Sequence, residues 1–179
     1  MSNKRLLYIT LLVGLLLASC HDVKKQQQMD ALDRLLARAD SIGKVWEVER
    51  TDPVQEILPE VQEVERNIRQ NYRSDTISVA FSQKLEDYKM ISRGLQYYLS
   101  NDDALNFGTK QVKLTLNELK HDIEKASGDR ARYDEYIAFE KNKVDRLNVL
   151  LKNCVETKSK CVHSYQRLHA EIKAFSETR

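Results

Sequence analysis

Apolar residues recur along most of this chain in steps of three and four, the spacing that lines one face of an α-helix. An uninterrupted apolar run covers residues 6 to 17, and a polar stretch without any stripe covers 20 to 28. A first amphipathic helix is then predicted by Leu32, Leu35, Ala39, Ile42 and Trp46, ending near Arg50. Thr51-Asp52-Pro53 supplies a cap and a first-turn proline for a second helix with Val61, Val64, Ile68 and Tyr72 on its buried side. Pro59 is expected to delay or kink the start of that helix. Ser74-Asp75 ends it and caps the next.

From Ile77 the pattern becomes strict. Ile77, Phe81, Lys84, Tyr88, Ile91, Leu95, Tyr98, Asp102, Leu105, Thr109, Val112, Leu116, Leu119, Ile123 and Ala126 follow alternating steps of four and three. Ser100 to Asp103 resembles a helix cap and Gly108 is a breaker, yet the seam resumes in phase. A continuous, locally distorted helix over 76–126 is therefore expected, two shorter helices being the alternative. Ser127-Gly128-Asp129 reads as a turn, with Gly128 at a helix end and Asp129 as the next N-cap. A second seam runs from Tyr133 through Ile137, Glu140, Val144, Leu147, Leu151, Cys154, Lys158, Cys161, Tyr165, Leu168, Ile172 and Phe175. A helix over 130–177 would be roughly 70 Å long, and it needs a partner along its length.

The preceding helix offers that partner. Folding the chain back at Gly128 places Ala126 against Tyr133, Ile123 against Ile137, Leu116 against Val144 and Leu95 against Tyr165. In this register Asp102 falls opposite Lys158, a polar layer of opposite charges that can fix alignment at some cost in stability. Lys84 falls opposite Phe175 near the open end, and Leu85, Leu99, Val155 and Val162 lie on flanks that the hairpin leaves partly uncovered. The expected fold is all-α: an antiparallel coiled-coil hairpin (76–126 and 130–177) with two shorter N-terminal helices packed on it, an elongated bundle over 29–178.

Composition supports helices and changes the reading of charge. Charged residues make up 31% of the chain, while five glycines and two prolines are too few for the turns of a many-stranded sheet. The precursor carries 29 basic and 27 acidic residues, but Lys4 and Arg5 lie in the N-terminal segment and no acid does. Without residues 1–19 the two signs balance, which leaves no electrostatic footprint for nucleic acid. The N-terminal third is the more acidic and the C-terminal third the more basic, so the two could lie on each other.

Lys4 and Arg5, the apolar run, and Leu17-Ala18-Ser19-Cys20 together resemble the signal peptide and lipobox of bacterial lipoproteins. The resemblance covers the first twenty residues alone. It implies removal of residues 1–19, a covalent lipid such as palmitate on Cys20, and anchoring in the cell envelope, with an outer-membrane anchor facing the periplasm as the first choice. Residues 20–28 then read as a polar tether of at most about 25 to 30 Å.

Candidate chemistry in the remainder is sparse. Cys154 and Cys161 are seven residues apart on one helix face, about 10 Å along the axis and too far for a disulfide within the helix. In an oxidising compartment they suggest either an intermolecular disulfide or two small core residues. His163 points away from both, so these cysteines with His163 and His169 do not make one zinc site. His121 lacks a phosphotransfer context, and Tyr88, Tyr98, Tyr133 and Tyr165 read as core aromatics. No Gly-rich phosphate loop, nucleophile elbow or His-Glu metal motif is present. The expected function is that of a lipid-anchored, non-enzymatic interaction arm, spacer or adaptor in an envelope assembly, with no cofactor and no metal. Its partner would be a protein, or a second copy, engaged along a helix seam. The alternative is a holdase-like chaperone or small regulatory inhibitor.

Overall fold

The computed structural model describes residues 2–50, 54–71 and 77–177, with side chains from Val23 onward. Among the described residues there are five α-helices: α1 Ser2–Glu49, α2 Val54–Asn71, α3 Val79–Ser100, α4 Asp102–Lys125 and α5 Tyr133–Glu177, with a 3-10 turn Arg130–Arg132 before the last. No strand occurs among the described residues. The chain is an all-α helical bundle. Cys20 lies outside the residues whose side chains are described, and Asp52, Pro53, Tyr72, Ser74 and Asp75 lie outside the described residues.

The stripes predicted for the helices are the buried ones. Leu32, Leu35, Ala39, Ile42 and Trp46 are all buried on α1. Their burial and that of the α4 and α5 seams are the main stabilising terms, each large side chain contributing about 1.5 to 3 kcal/mol. On α2 the buried set is Val54, Ile57, Val61 and Val64, one step earlier than expected. Pro59 therefore does not delay the helix. It sits inside α2 on the exposed side, where water can satisfy the carbonyl that its missing N–H leaves free.

Two units emerge from the packing. The first comprises Met1–Ser41 and Thr109–Arg146, the second Ile42–Gly108 and Leu147–Arg179. In the first unit α1 lies among Val112, Leu116, Leu119 and Ile123 of α4 and Tyr133 and Val144 of α5, all buried. Ion pairs Lys120–Asp33, at 2.5 Å, and Lys113–Asp40 join α4 to α1, while Arg38–Asp145, at 2.6 Å, joins α1 to α5. The expected tether is corrected here. Val23 to Gln28 belong to α1, Gln28 is buried and donates to Asp134 at 2.6 Å, and Lys25 reaches the carbonyl of Glu124 at 3.0 Å. The polar side chains that suggested a loop are used for hydrogen bonds to the hairpin turn. α1 is accordingly a long helix, not one of two short ones.

The helix expected over 76–126 is divided at one residue. Asn101 has φ −99° and ψ 2°, and its N–H turns back to the Tyr98 carbonyl at 3.3 Å. The Ser100 hydroxyl and the Asn101 amide both donate to the Tyr97 carbonyl, satisfying the end of α3, and the Asn101 carbonyl accepts from Leu105 to start α4. Asp102 and Asp103 occupy the first turn, where the helix dipole favours acids. Because a single residue is spent, the seam stays in phase. Gly108 does not break α4; the Leu147 side chain packs where its Cβ would be.

The register of the hairpin is displaced by one seam step from the expected one. In the second unit Cys161, not Tyr165, lies at the level of Gly94 and Leu95: its Sγ would clash with a Cβ on Gly94. Phe81 meets Phe175 in a tilted pair with centroids 4.6 Å apart, and Lys84 pairs with Glu171 at 2.7 Å, not with the Phe175 level. The turn supplies the cause. Ala126 has already left the helix at φ 53°, its N–H bonded to Ile123 and that of Ser127 to Asp122, a Schellman ending. Ala126 therefore offers no helical layer, and the Tyr133 hydroxyl reaches the Asp122 carbonyl at 3.1 Å. The left-handed residue that ends α4 is Ala126, two positions before Gly128 (φ 76°), while Asp129 caps the 3-10 turn as its sequence suggests.

Candidate functional site

The displaced register separates the two members of the expected polar layer, and both turn to α1. Asp102 accepts from the Trp46 indole at 2.8 Å and from Arg50 at 3.0 Å. Lys158 is buried, pairs with Glu49, and donates to the Glu49 carbonyl at 3.2 Å. Its ammonium also lies 5.7 Å from the Tyr98 ring centroid, and the Tyr98 hydroxyl donates to the same carbonyl at 2.7 Å. The layer thus ties down the C-terminal end of α1, whose last carbonyls would otherwise be unsatisfied. The direct Asp102–Lys158 pairing is replaced by this four-helix arrangement of α1, α3, α4 and α5.

Cys154 and Cys161 are free and buried, and burial raises both thiol pKa values. A thiol enclosed in this way, and held protonated, is a core residue; a partner's cysteine cannot reach it without opening the helix packing. His121 is exposed, and no group of three or more metal-ligating side chains converges among the described residues.

A feature absent from the sequence reading lies between α2, α3 and α5. His169 packs against Tyr165 with the rings tilted and centroids 4.4 Å apart, and its Nδ1 is 2.7 Å from the Tyr88 hydroxyl. Its Nε2 is 3.7 Å from Glu60, which also accepts from the Tyr165 hydroxyl. Desolvation, followed by the nearby Tyr165, Glu65 and Glu60, raises the Tyr88 phenol, so it keeps its proton. In the tautomer in which Nδ1 accepts from Tyr88, the Nε2–H faces Glu60. Burial lowers the pKa of His169, against the opposing pull of Glu60, and burial with the Glu60 hydrogen bond pushes Tyr165 up to about 12. This is a cross-helix clasp of neutral groups around one carboxylate.

Above Tyr88, α2 and α3 border a cleft of about 690 Å³. Ile68, Ile77, Leu85 and Tyr88 give it apolar surface, and Arg66, Arg69, Lys89 and Arg93 give it cations. Its carboxylate, Glu65, is engaged by the buried Ser92 hydroxyl at 2.7 Å. Beside it on α3, Met90 and Tyr97 are seven residues apart and 57% and 40% exposed. Of the flanking positions expected to be uncovered, Leu99 is exposed, while Leu85, Val155 and Val162 are half-buried. The cleft could have been suspected from Arg66, Arg69 and Arg93, but their convergence depends on how α2 lies on α3. Comparison of the chain with protein-family models, with curated proteins and with solved structures gave no match.

Proposed function

We propose that this chain is a lipid-anchored protein of the bacterial cell envelope that acts as a non-enzymatic adaptor for another protein. The observation that supports the reading best is the pair Met90 and Tyr97, large apolar side chains left in solvent on one face of α3 with Arg93 between them. Two anchors at a seven-residue spacing suit a helix-to-helix contact, the flanking cation adding charge selectivity. The anchor rests on Leu17-Ala18-Ser19-Cys20; among the described residues no helix is long and apolar enough to cross a membrane.

Two experiments test the two halves of the proposal. A labelled fatty acid should be incorporated by the wild type and not by Cys20→Ser; equal labelling removes the anchor. A photoreactive residue at position 90 should give, in native envelopes, one defined adduct that Tyr97→Asp abolishes. The same residue at the exposed position 160 should give none. Identical adduct patterns at both positions would refute α3 as the docking face.

A further inference from the structure

The cleft between α2 and α3 joins two kinds of surface that a purely structural helix contact does not need. Its apolar part comes from Ile68, Ile77, Leu85 and the ring of Tyr88, and its rim carries Arg66, Arg69, Lys89 and Arg93. Lys89 is neutralised by Glu86 at 2.6 Å, and Arg69 Nε donates to the Glu65 carbonyl at 3.3 Å. Arg66 and Arg93 make no ion pair among the described residues; the Arg93 guanidinium lies 3.9 Å from the Met90 sulfur and within the longer-range field of Glu86, which is itself paired with Lys89. Glu65, whose carboxylate accepts from Ser92, is one negative charge against Arg66, Arg69 and Arg93, so the cleft stays net positive. The volume, about 690 Å³, is that of a site for a small molecule, for which about 300 to 1,000 Å³ is usual.

We propose that this cleft binds a single-chain amphiphile with an anionic head, the alkyl chain lying along Ile68, Leu85 and Tyr88 and the head held by Arg66 and Arg93. Guanidinium groups suit this role because their planar donors grip a carboxylate or a phosphate in pairs. A neutral head would leave both cations without a partner, so selectivity resides in the charge and affinity in the chain. A fatty acid and an alkyl phosphate share this chemistry.

The test uses the full chain and a dodecanoate probe with a diazirine in its tail, photolysed and mapped by mass spectrometry. Adducts are expected on Leu85, Ile68 or Tyr88. The double variant Arg66→Gln/Arg93→Gln, which breaks no ion pair within the described fold, should lower their yield at least fivefold without changing the circular dichroism spectrum. A diazirine-tailed alcohol of equal length should label at least tenfold less. Competition with dodecanoate and with dodecyl phosphate identifies the preferred head, displacement by either supporting the site. Equal labelling by acid and alcohol, unchanged yield in the double variant, or adducts confined to other helices would overturn the proposal. These outcomes do not depend on whether a protein docks on Met90 and Tyr97.

Discussion

The two units handle buried polarity in different ways. In the second, Lys158 meets Glu49, Tyr98 and the end of α1, Ser92 meets Glu65, and Tyr88 meets His169. In the first, an apolar seam is edged by ion pairs at its surface and by the buried Gln28, which donates to Asp134; Glu140 differs in that it is buried, Lys143 binds one oxygen at 2.7 Å, and the other oxygen has no hydrogen-bond partner among the described residues. The contrast separates two sources of structure. In the first unit the alignment is set at the hairpin turn, where Tyr133 reaches the Asp122 carbonyl and Gln28 reaches Asp134, and the apolar seam itself is indifferent to register; in the second, buried polar contacts along the helices are satisfied in one register only.

Breaking that register-specific network should have the largest effect. Lys158→Ala leaves Glu49 half-enclosed and unpaired and should cost about 3 kcal/mol in urea denaturation. Lys120→Ala, which breaks the exposed pair with Asp33 in the first unit, should leave the midpoint unchanged. Comparable losses in both would erase the distinction. Gly94→Ala should cost about 1 to 3 kcal/mol, because its Cβ meets Cys161 Sγ and, at 3.2 Å, Thr157 Cγ2. Adding Cys161→Ala should recover part of that loss, and strict additivity of the two would contradict the register.

Gains are expected in the first unit. Glu140→Leu removes an orphaned buried oxygen and should stabilise by about 1 kcal/mol, Lys143 keeping its contact 4.6 Å over the Phe139 ring. Ala126→Gly relieves a left-handed alanine and should stabilise by about 1 kcal/mol; a loss would mean that its methyl contributes more than its backbone strain costs. The smallest effect is the pH response of the clasp formed by His169 with Tyr88, Tyr165 and Glu60, near Lys173. The folded-state pKa of His169 lies below the ordinary value of 6.5, so the unfolded chain binds the proton more readily. Its contribution is complete above about pH 6.5 and is lost as pH falls through the lower folded value. The melting temperature of the wild type should therefore drop between pH 7 and 5 by more than that of His169→Gln, and parallel curves would show that the clasp is indifferent to protonation.

Periodicity alone made most helices legible. The spacing of Leu32 to Trp46, and of the seams through Ile123 and Ile172, identifies the buried faces because a side chain's direction from a helix is fixed by its position in the 3.6-residue turn. It also identified Cys154, Cys161, Tyr88, Tyr98 and Tyr133 as core residues, while Tyr165, expected with them, is only half-buried and turns its hydroxyl to Glu60. Alignment between helices was not legible. Moving α5 by one seam step again brings apolar residues against apolar residues, so the seam pattern is nearly indifferent to the choice. The tertiary structure decided it through local details: Ala126 leaving the helix, Tyr133 reaching the Asp122 carbonyl, and Gly94 admitting Cys161. The same holds for the partners of Lys158 and Asp102, and for the convergence of Arg66 and Arg93 beside Leu85. Sequence determined which face of each helix is buried; only packing in three dimensions determined which residues meet across those faces, since hydrophobic burial is non-directional and hydrogen bonds are not.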